Sequence, residues 1–342
     1  MGSYSWNGTS GDWATNTNWT GGIPNSSTAD VTIEAGGTYN VTIAAGESFT
    51  ADSVTLANYS VNFDLIGSLD LLGSLASFNF SGSVFDLAGT ISGGTFNIDT
   101  GTLVDQGGVI ATQNFALGNQ QYLDLNGNTL TLGHSAQLNG YIVGNGSAGN
   151  EILVTGKADL STSYFGGQAI LVDAGIVSQD AYILVGTAAG DTGGLVIDAG
   201  ATYALVSDAY IQSNGTANIS NAGLLEKTAN VGESYIDGNF TNTGTIAVNQ
   251  GTLDVRYGND QLAGTITGPG LFGISAGANA TLDSGLVINV ATFNIVNGNA
   301  TLGSSFDLTD AVSLIGSGDI YLNGHNLTLA GPAALEGTLT GP

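Results

Sequence analysis

The sequence predicts an all-β protein built as a parallel β-solenoid, in which short coils of chain stack on one another. Apolar and polar residues alternate in runs of roughly four to seven residues that end at Gly or Asn-Gly, the pattern of strands and turns. Helical periodicity of apolar residues occurs in no long window. The runs are clearest in DVTIEAGGTYNVTIAAG (30–46), YLDLNGNTLTLG (122–133) and IYLNGHNLTLAG (320–331).

Internal repetition selects a solenoid among the all-β architectures. The sequence NATL occurs at Asn279–Leu282 and at Asn299–Leu302, 20 residues apart. A second internal similarity relates residues 125–144 to residues 322–341. A period near 20 fits one coil of two or three short strands, so the chain would form about 15–17 coils stacked roughly 4.8 Å apart. If the same register continues, the matched pairs are Ile288 with Leu308, Ala291 with Ala311, and Ile295 with Ile315.

A chain of β-sandwich modules is the alternative architecture. Sandwiches turn every 8–12 residues or so with hairpin signals, and they show no 20-residue translation. The repetition therefore favours the solenoid.

All three tryptophans of the chain, Trp6, Trp13 and Trp19, precede the first alternating strand. We therefore divide the chain into a Trp-rich segment at 1–30 and a β-solenoid at 31–342. Three roles are open for the rings, each of which can bury about 150–250 Å². They could cap the first coil within the chain, receive the end of the next subunit, or form a platform for stacking on sugars.

Composition excludes several functions. The chain has 342 residues, a formal net charge of −25 and only three Lys or Arg residues. Binding to nucleic acid needs clustered basic residues, and an anionic membrane surface would repel this chain. No stretch of about 18 apolar residues occurs, so we expect no membrane insertion. The chain has no cysteine, and therefore neither disulfides nor thiolate metal sites.

No catalytic motif is found, and we predict that the protein is not an enzyme. Glycan-cleaving solenoids need a carboxylate pair or a basic residue beside acidic ligands. The acidic residues here are scattered at one or two per coil, although stacking could align some of them. Arg256 is expected to pair with a nearby carboxylate such as Asp254 or Asp260. His134 and His325 are expected in turns that face solvent, because no further ligands stand at a recognisable spacing.

No cofactor is predicted, with calcium left open. Residues 190–194, 257–260 and 308–310 place carboxylates beside turn carbonyls, a donor set that suits a hard cation. Ice binding is disfavoured, because no Thr-x-Thr motif recurs at one fixed position of the coil.

Two parts of the chain resemble known families. FTNTGTIAVNQGTLDV (240–255) and GTITGPGLFGISAGANATLDSG (264–285) resemble the repeats of filamentous-haemagglutinin-like and autotransporter-passenger-like adhesins. That resemblance implies a right-handed β-helix displayed outside a bacterial cell. The N-terminal pattern W-x-G-x-x-G-D-W is similar to the start of large secreted alphaproteobacterial proteins. Many of these carry a self-processing Hint domain, which is absent here, as is the cysteine that it would need.

We therefore expect a structural protein of the bacterial surface that stacks head to tail with copies of itself into filaments or matrix fibres. The chain stops after EGTLTGP (336–342) with no helix or charged cap, which leaves an open coil to template pairing. The residues assigned to a cap or subunit interface are Trp6, Trp13, Trp19, Leu335 and Leu339. The alternative is a monomeric adhesin that binds glycans through its lateral face, and a polysaccharide-degrading enzyme ranks below both.

Overall fold

The computed structural model describes residues 2–73, 76–145 and 149–341. They form two compact units, Met1–Ala169 and Ile170–Pro342. Each unit is a stack of parallel β-coils, and together they comprise about 15 turns, which confirms the predicted all-β solenoid. Its handedness stays a prediction. The described part of the chain contains no helix with the length and apolar character needed to cross a membrane.

The first unit contains one short 3₁₀ helix, Asn16–Asn18, and nineteen described strands. The strands are β1 (Gly2–Trp6), β2 (Gly11–Asp12), β3 (Trp19–Thr20), β4 (Ala29–Ile33), β5 (Tyr39–Ile43), β6 (Ser48–Ala51), β7 (Ser53–Leu56), β8 (Val61–Leu65), β9 (Ser68–Leu71), β10 (Ser77–Leu87), β11 (Thr90–Asp105), β12 (Val109–Leu117), β13 (Tyr122–Asp124), β14 (Thr129–Leu132), β15 (Ser135–Leu138), β16 (Tyr141–Val143), β17 (Glu151–Val154), β18 (Lys157–Leu160) and β19 (Ser163–Gly166).

Strands of successive coils in the first unit pair in parallel. Strands β4, β5 and β6 pair in this way with β7, β8 and β9. The longer strand β10 serves two sides, because its first half pairs with β7 and its second half with β8. The backbone groups of successive coils therefore satisfy one another along the stack.

The core of the first unit is a column of apolar side chains, many of them aromatic. Alternation sets which side chains point inward, so that Val31 and Ile33 of β4 are buried while Thr32 between them is not. Phe63 stacks on Phe85 with ring centroids 5.2 Å apart, and Phe85 packs on Phe96 at 4.9 Å. Contacts between aromatic rings thus run from coil to coil inside the stack.

The second unit contains twenty-three described strands. They are β20 (Ile170–Asp173), β21 (Ile176–Gln179), β22 (Ile183–Val185), β23 (Thr192–Ile197), β24 (Thr202–Leu205), β25 (Ile211–Gln212), β26 (Thr216–Asn221), β27 (Leu224–Lys227), β28 (Glu233–Asp237), β29 (Asn239–Asn242), β30 (Thr245–Val248), β31 (Thr252–Arg256), β32 (Asn259–Leu262), β33 (Thr265–Ser275), β34 (Asn279–Leu282), β35 (Val287–Val296), β36 (Asn299–Leu302), β37 (Phe306–Leu308), β38 (Ala311–Ile315), β39 (Asp319–Tyr321), β40 (Leu327–Leu329), β41 (Ala333–Leu335) and β42 (Thr338–Thr340).

These strands also form three faces. One face, here called the tyrosine face, consists of β22, β25, β28, β31, the second halves of β33 and β35, and then β38 and β41. A second face runs from β20 through β23, β26, β29, β32, β34, β36 and β39 to β42. The remaining strands make the third face.

The 20-residue repeat is confirmed where NATL occurs, because Asn279–Leu282 in β34 pairs residue for residue with Asn299–Leu302 in β36. The register predicted for the following segments is wrong by one residue. Ile295 pairs with Leu314 rather than Ile315, and both Ile295 and Leu314 are buried. A slip of one residue exchanges the inner and outer sides of a strand, so the buried set decides the register. By the same slip, Ala311 pairs with Thr292 instead of Ala291.

The similar segments 125–144 and 322–341 share a turn at the corner of the coil. Asn126 and Gly127 both adopt left-handed backbone conformations, with φ of 48° and 81°, and Asn323 and Gly324 repeat them at 50° and 79°. Both turns are closed by a backbone hydrogen bond of 2.8 Å to a leucine carbonyl. Two central residues with positive φ define a type I′ turn, which Asn-Gly favours.

Candidate functional site

The three tryptophans pack against one another inside the first unit. Trp6 and Trp13 both contact Trp19 edge to face, each with ring centroids 4.7 Å apart. Trp13 also packs on Phe49 and Phe63 of the first two coils. The exposed fractions of Trp6, Trp13 and Trp19 are 3%, 0% and 5%. The buried rings leave little surface for a sugar or another subunit to contact directly.

Each indole N–H of the cluster is satisfied within the segment 1–30. Trp6 donates to the Thr9 carbonyl, Trp13 to the Pro24 carbonyl at 3.0 Å, and Trp19 to the Trp13 carbonyl at 2.7 Å. A buried indole that lacked an acceptor would cost about 1–3 kcal/mol. These bonds therefore fix the rings and the loops around them together.

The same segment lies over the first full coil. Strand β1 pairs in parallel with β4, and β2 pairs in parallel with β5. The Ser26 amide donates to the Thr50 carbonyl of β6. Strand β3 pairs antiparallel with the end of β1, and this pairing occupies part of the outer edge that β1 would otherwise present.

The last coil of the second unit presents core-type side chains to solvent. Leu335 and Leu339 are 50% and 51% exposed. They pair with Leu314 and Ile320 of the preceding coil, which are 1% and 3% exposed. These positions are thus buried in the preceding coil, which the last coil covers. They are exposed in the last coil, which no other part of the described chain covers.

The histidines and the turns considered for calcium have ordinary structural surroundings. His134 is exposed and His325 is half-buried, both in turns. Asp191 accepts hydrogen bonds from the Thr187 backbone and hydroxyl at 2.8 and 2.7 Å. Asp260 and Asp310 each accept a backbone N–H. Among the described residues no group of three or more His, Cys, Asp or Glu side chains is arranged to hold a metal ion.

One stacked pair of carboxylates does occur, in the first unit. Asp64 of β8 pairs in register with Asp86 of β10. Burial, followed by the negative charge of Asp86, raises the pKa of Asp64, while a hydrogen bond from Thr42 opposes the shift. Stacking therefore aligns two acidic residues from neighbouring coils. The sequence had left this possibility open.

Arg256 is paired with a carboxylate, but the partner differs from those predicted. Its guanidinium forms an ion pair with Glu233 and lies over the ring of Tyr235, 4.1 Å from the centroid. Asp254 instead accepts a hydrogen bond from the Ser275 hydroxyl at 3.0 Å. The named partners were wrong for two reasons. Asp254 lies on the same outward side of β31 as Arg256, but the guanidinium crosses to Glu233 on β28 of the neighbouring coil. Asp260 is buried.

Outward tyrosines form a ladder on the tyrosine face. Tyr210 stacks on Tyr182 and on Tyr235, with ring centroids 5.7 and 4.6 Å apart and nearly parallel planes. The next positions of the same column are Asp254 of β31 and Gly273 of β33, so the ladder ends at Tyr235 under the Arg256 guanidinium.

A groove begins where the tyrosine ladder ends. It has a volume of about 420 Å³, within the range of about 300–1,000 Å³ common for small-ligand sites. Gly273 in its lining gives room to the Asp254 side chain, because a Cβ at this position would overlap the Asp254 carboxylate. The lining residues are Glu233, Thr252, Asp254, Arg256, Leu271, Gly273, Ser275, Ala276, Asn294, Val296 and Asn297. Sequence reasoning missed the groove because its residues come from four successive coils.

No protein-family model, no curated protein and no solved structure matches this chain. Function must therefore be argued from the Trp cluster, the last coil and the groove.

Proposed function

We propose that this protein is a structural subunit of the bacterial surface that stacks head to tail into filaments or matrix fibres. The observation that carries the proposal is the exposed last coil, where Leu335 and Leu339 occupy positions that are buried one coil earlier. An added coil would remove this apolar surface from water at about 25 cal/mol per Å².

The backbone of the last coil supports the same proposal. Strands β40, β41 and β42 pair on one side with β37, β38 and β39. Within the described chain no strand pairs with their other side. Such free edges template pairing with further strands.

The receiving surface would be the outer side of the segment 1–30. Its tryptophans are buried, but Ile23 is 36% exposed. A contact between two different surfaces of the same chain is heterologous and extends without closing. In this arrangement the tryptophans shape the receiving surface from beneath and do not form the contact themselves.

The extracellular bacterial location is part of the proposal and rests on the resemblance of residues 240–285 to adhesin repeats. The small fraction of charged residues, 9% of the chain, suits such a fibre. Stacked parallel strands would make it stiff and resistant to proteases.

Electron microscopy of the purified chain tests the proposal. Fibres are expected, and the double substitution Leu335→Asp with Leu339→Asp should abolish them while circular dichroism still reports folded β-structure. The matched control is the double substitution Val231→Asp with Val287→Asp, which puts the same two charges at residues that are 86% and 54% exposed outside the last coil and should leave fibres intact.

Three outcomes would contradict the proposal. The first is that the chain gives only isolated particles over a range of pH and calcium concentration. The second is that it forms only closed tail-to-tail dimers, as light scattering would detect. The third is that the control variant loses fibres as completely as the double variant.

A further inference from the structure

The groove on the tyrosine face of the second unit, bounded by Asp254 and Asn294, has the chemistry of a small-ligand site. These two residues occupy the same column of outward positions and are separated by Gly273, which contributes only backbone. The groove therefore lies where the middle position of three in this column has no side chain. It lies away from β40–β42, so its chemistry does not depend on end-to-end assembly.

The polar groups of the groove are incompletely paired. Asp254 forms no ion pair within the described chain, and burial raises its pKa, against the effect of the Ser275 hydrogen bond. Arg256 Nε and Asn294 Oδ1 are buried without a hydrogen-bond partner among the described residues. The terminal torsion of an asparagine is soft, so the Asn294 amide can turn toward a ligand and gain the bond that it lacks.

The apolar part of the lining comes from Leu271 and Val296, which lie on opposite sides of the central column. A ligand that fits must therefore present hydroxyl groups along its rim and C–H groups on its faces. A hydroxyl both donates and accepts, so it can serve Asp254 and Asn294 as acceptors and Arg256 as a donor.

We propose that this groove binds a neutral saccharide, with Asp254, Arg256 and Asn294 contacting hydroxyl groups and Leu271 and Val296 contacting the ring. An anionic sugar would meet the Asp254 carboxylate, which no ion pair among the described residues neutralises, in a chain whose net charge is −25. A bare cation would satisfy Asp254 but would leave Arg256 Nε unpaired beside another positive charge. A neutral sugar satisfies both.

Calorimetric titration and amide chemical-shift mapping of the full chain test this site. The probes are cello-, malto- and chito-oligosaccharides as neutral ligands, oligogalacturonate as an anionic ligand, and calcium chloride alone. At least one neutral class should bind and shift the amide signals of Gly273, Ser275 and Asn294. The variant Asn294→Ala should bind it about tenfold more weakly.

A second variant and a matched control keep the test specific. Gly273→Ala should weaken binding, because a Cβ at this position would overlap the Asp254 carboxylate and displace it. Asn218→Ala removes an exposed asparagine from a different face of the same unit and should bind as the parent does. Thermal melting checks that each variant is folded.

The proposal is overturned if none of the neutral probes binds or if Asn294→Ala binds as tightly as the parent. It is also overturned if oligogalacturonate binds more tightly than every neutral probe, or if calcium alone shifts the same signals and no saccharide does. The double variant in the last coil should still bind the sugar, so a failure of assembly and a failure of this site give different results.

Discussion

Trp13 links the first 30 residues to the core of the first unit. It is fully buried, contacts Trp19, Phe49 and Phe63, and donates its indole N–H to Pro24. Replacing it with alanine should lower the free energy of unfolding by about 3–5 kcal/mol, because the change opens a cavity and removes a buried hydrogen bond. Urea unfolding followed by circular dichroism measures the loss.

The control for Trp13→Ala is Tyr59→Ala, at a residue that is 71% exposed. It should change stability by no more than about 0.5 kcal/mol. If Trp13→Ala kept the parent's stability but prevented fibre formation, the ring would belong to the joint between subunits and not to a cap.

Buried carboxyl groups give the second unit a pH-dependent stability. Burial raises the pKa of Asp260 to about 7 and those of Asp173 and Asp237 to about 6, although backbone hydrogen bonds to Asp260 and Asp173 oppose the shift. Because these values lie above the usual 3.8, the folded state binds protons more tightly than the unfolded state. Stability should therefore rise as the pH falls from about 8 toward about 4.

Thermal melting over this pH range checks the sign, and Asp260→Asn should reduce the slope. Asp180→Asn removes the same charge from an exposed position and should keep the parent's slope. A melting temperature that falls as the pH is lowered from 8 to 5 would contradict the assignment of these groups.

Among the structural elements, the tight corners depend on glycine where two coils approach closely. A Cβ on Gly89 would overlap the Gly67 carbonyl of the preceding coil, whereas one on Gly36 would meet no atom within 4 Å. Gly89→Ala should therefore destabilise the first unit by about 1–3 kcal/mol, in the usual range for a buried steric conflict. Gly36→Ala is the matched control and should be close to neutral in chemical denaturation. Equal losses for both variants would show that steric conflict between coils is not the cause.

Strand identity could be predicted from the sequence better than strand register. Alternation identified β34 and β36, and their common NATL sequence gave the correct pairing. The predicted register of the next strands is wrong by one residue, because the stretch from Leu302 to Ala311 is one residue shorter than a strict 20-residue period requires. Ile295 still points into the core. Turn lengths vary freely at the surface, so periodicity alone cannot fix them.

The candidate sites were predictable to different degrees. Rarity singled out the tryptophans, and the strand-like end of the sequence singled out Leu335 and Leu339. The groove could not be found, because Asp254, Gly273 and Asn294 become neighbours only when the coil-to-coil register is known. A search for polar residues at the outward positions of successive coils, separated by a glycine, would have given the only available signal.

For the whole molecule, the net charge of −25 opposes contact between copies. Raising the salt concentration from about 20 to 200 mM shortens the screening length, so end-to-end assembly should become faster. Light scattering measures the rate, and the Leu335→Asp with Leu339→Asp variant should remain unassembled at both salt concentrations. Slower assembly in high salt would mean that ionic contacts hold the joint.

The placement of the aromatic residues makes the beginning of the first unit visible to spectroscopy separately from the stacked coils. All three indoles lie between Trp6 and Trp19, so tryptophan fluorescence reports only on the beginning of the first unit. Stacked phenol rings occur in both units, as Tyr122, Tyr141 and Tyr164 in the first and Tyr182, Tyr210 and Tyr235 in the second, so near-ultraviolet tyrosine dichroism reports on coil stacking in both. Coils that contact only their neighbours can unfold in segments. A single unlabelled sample thus contains one probe of the first 30 residues and one of the stacked coils. If the two signals change together, the whole stack is lost at once; if they change separately, coils are lost stepwise.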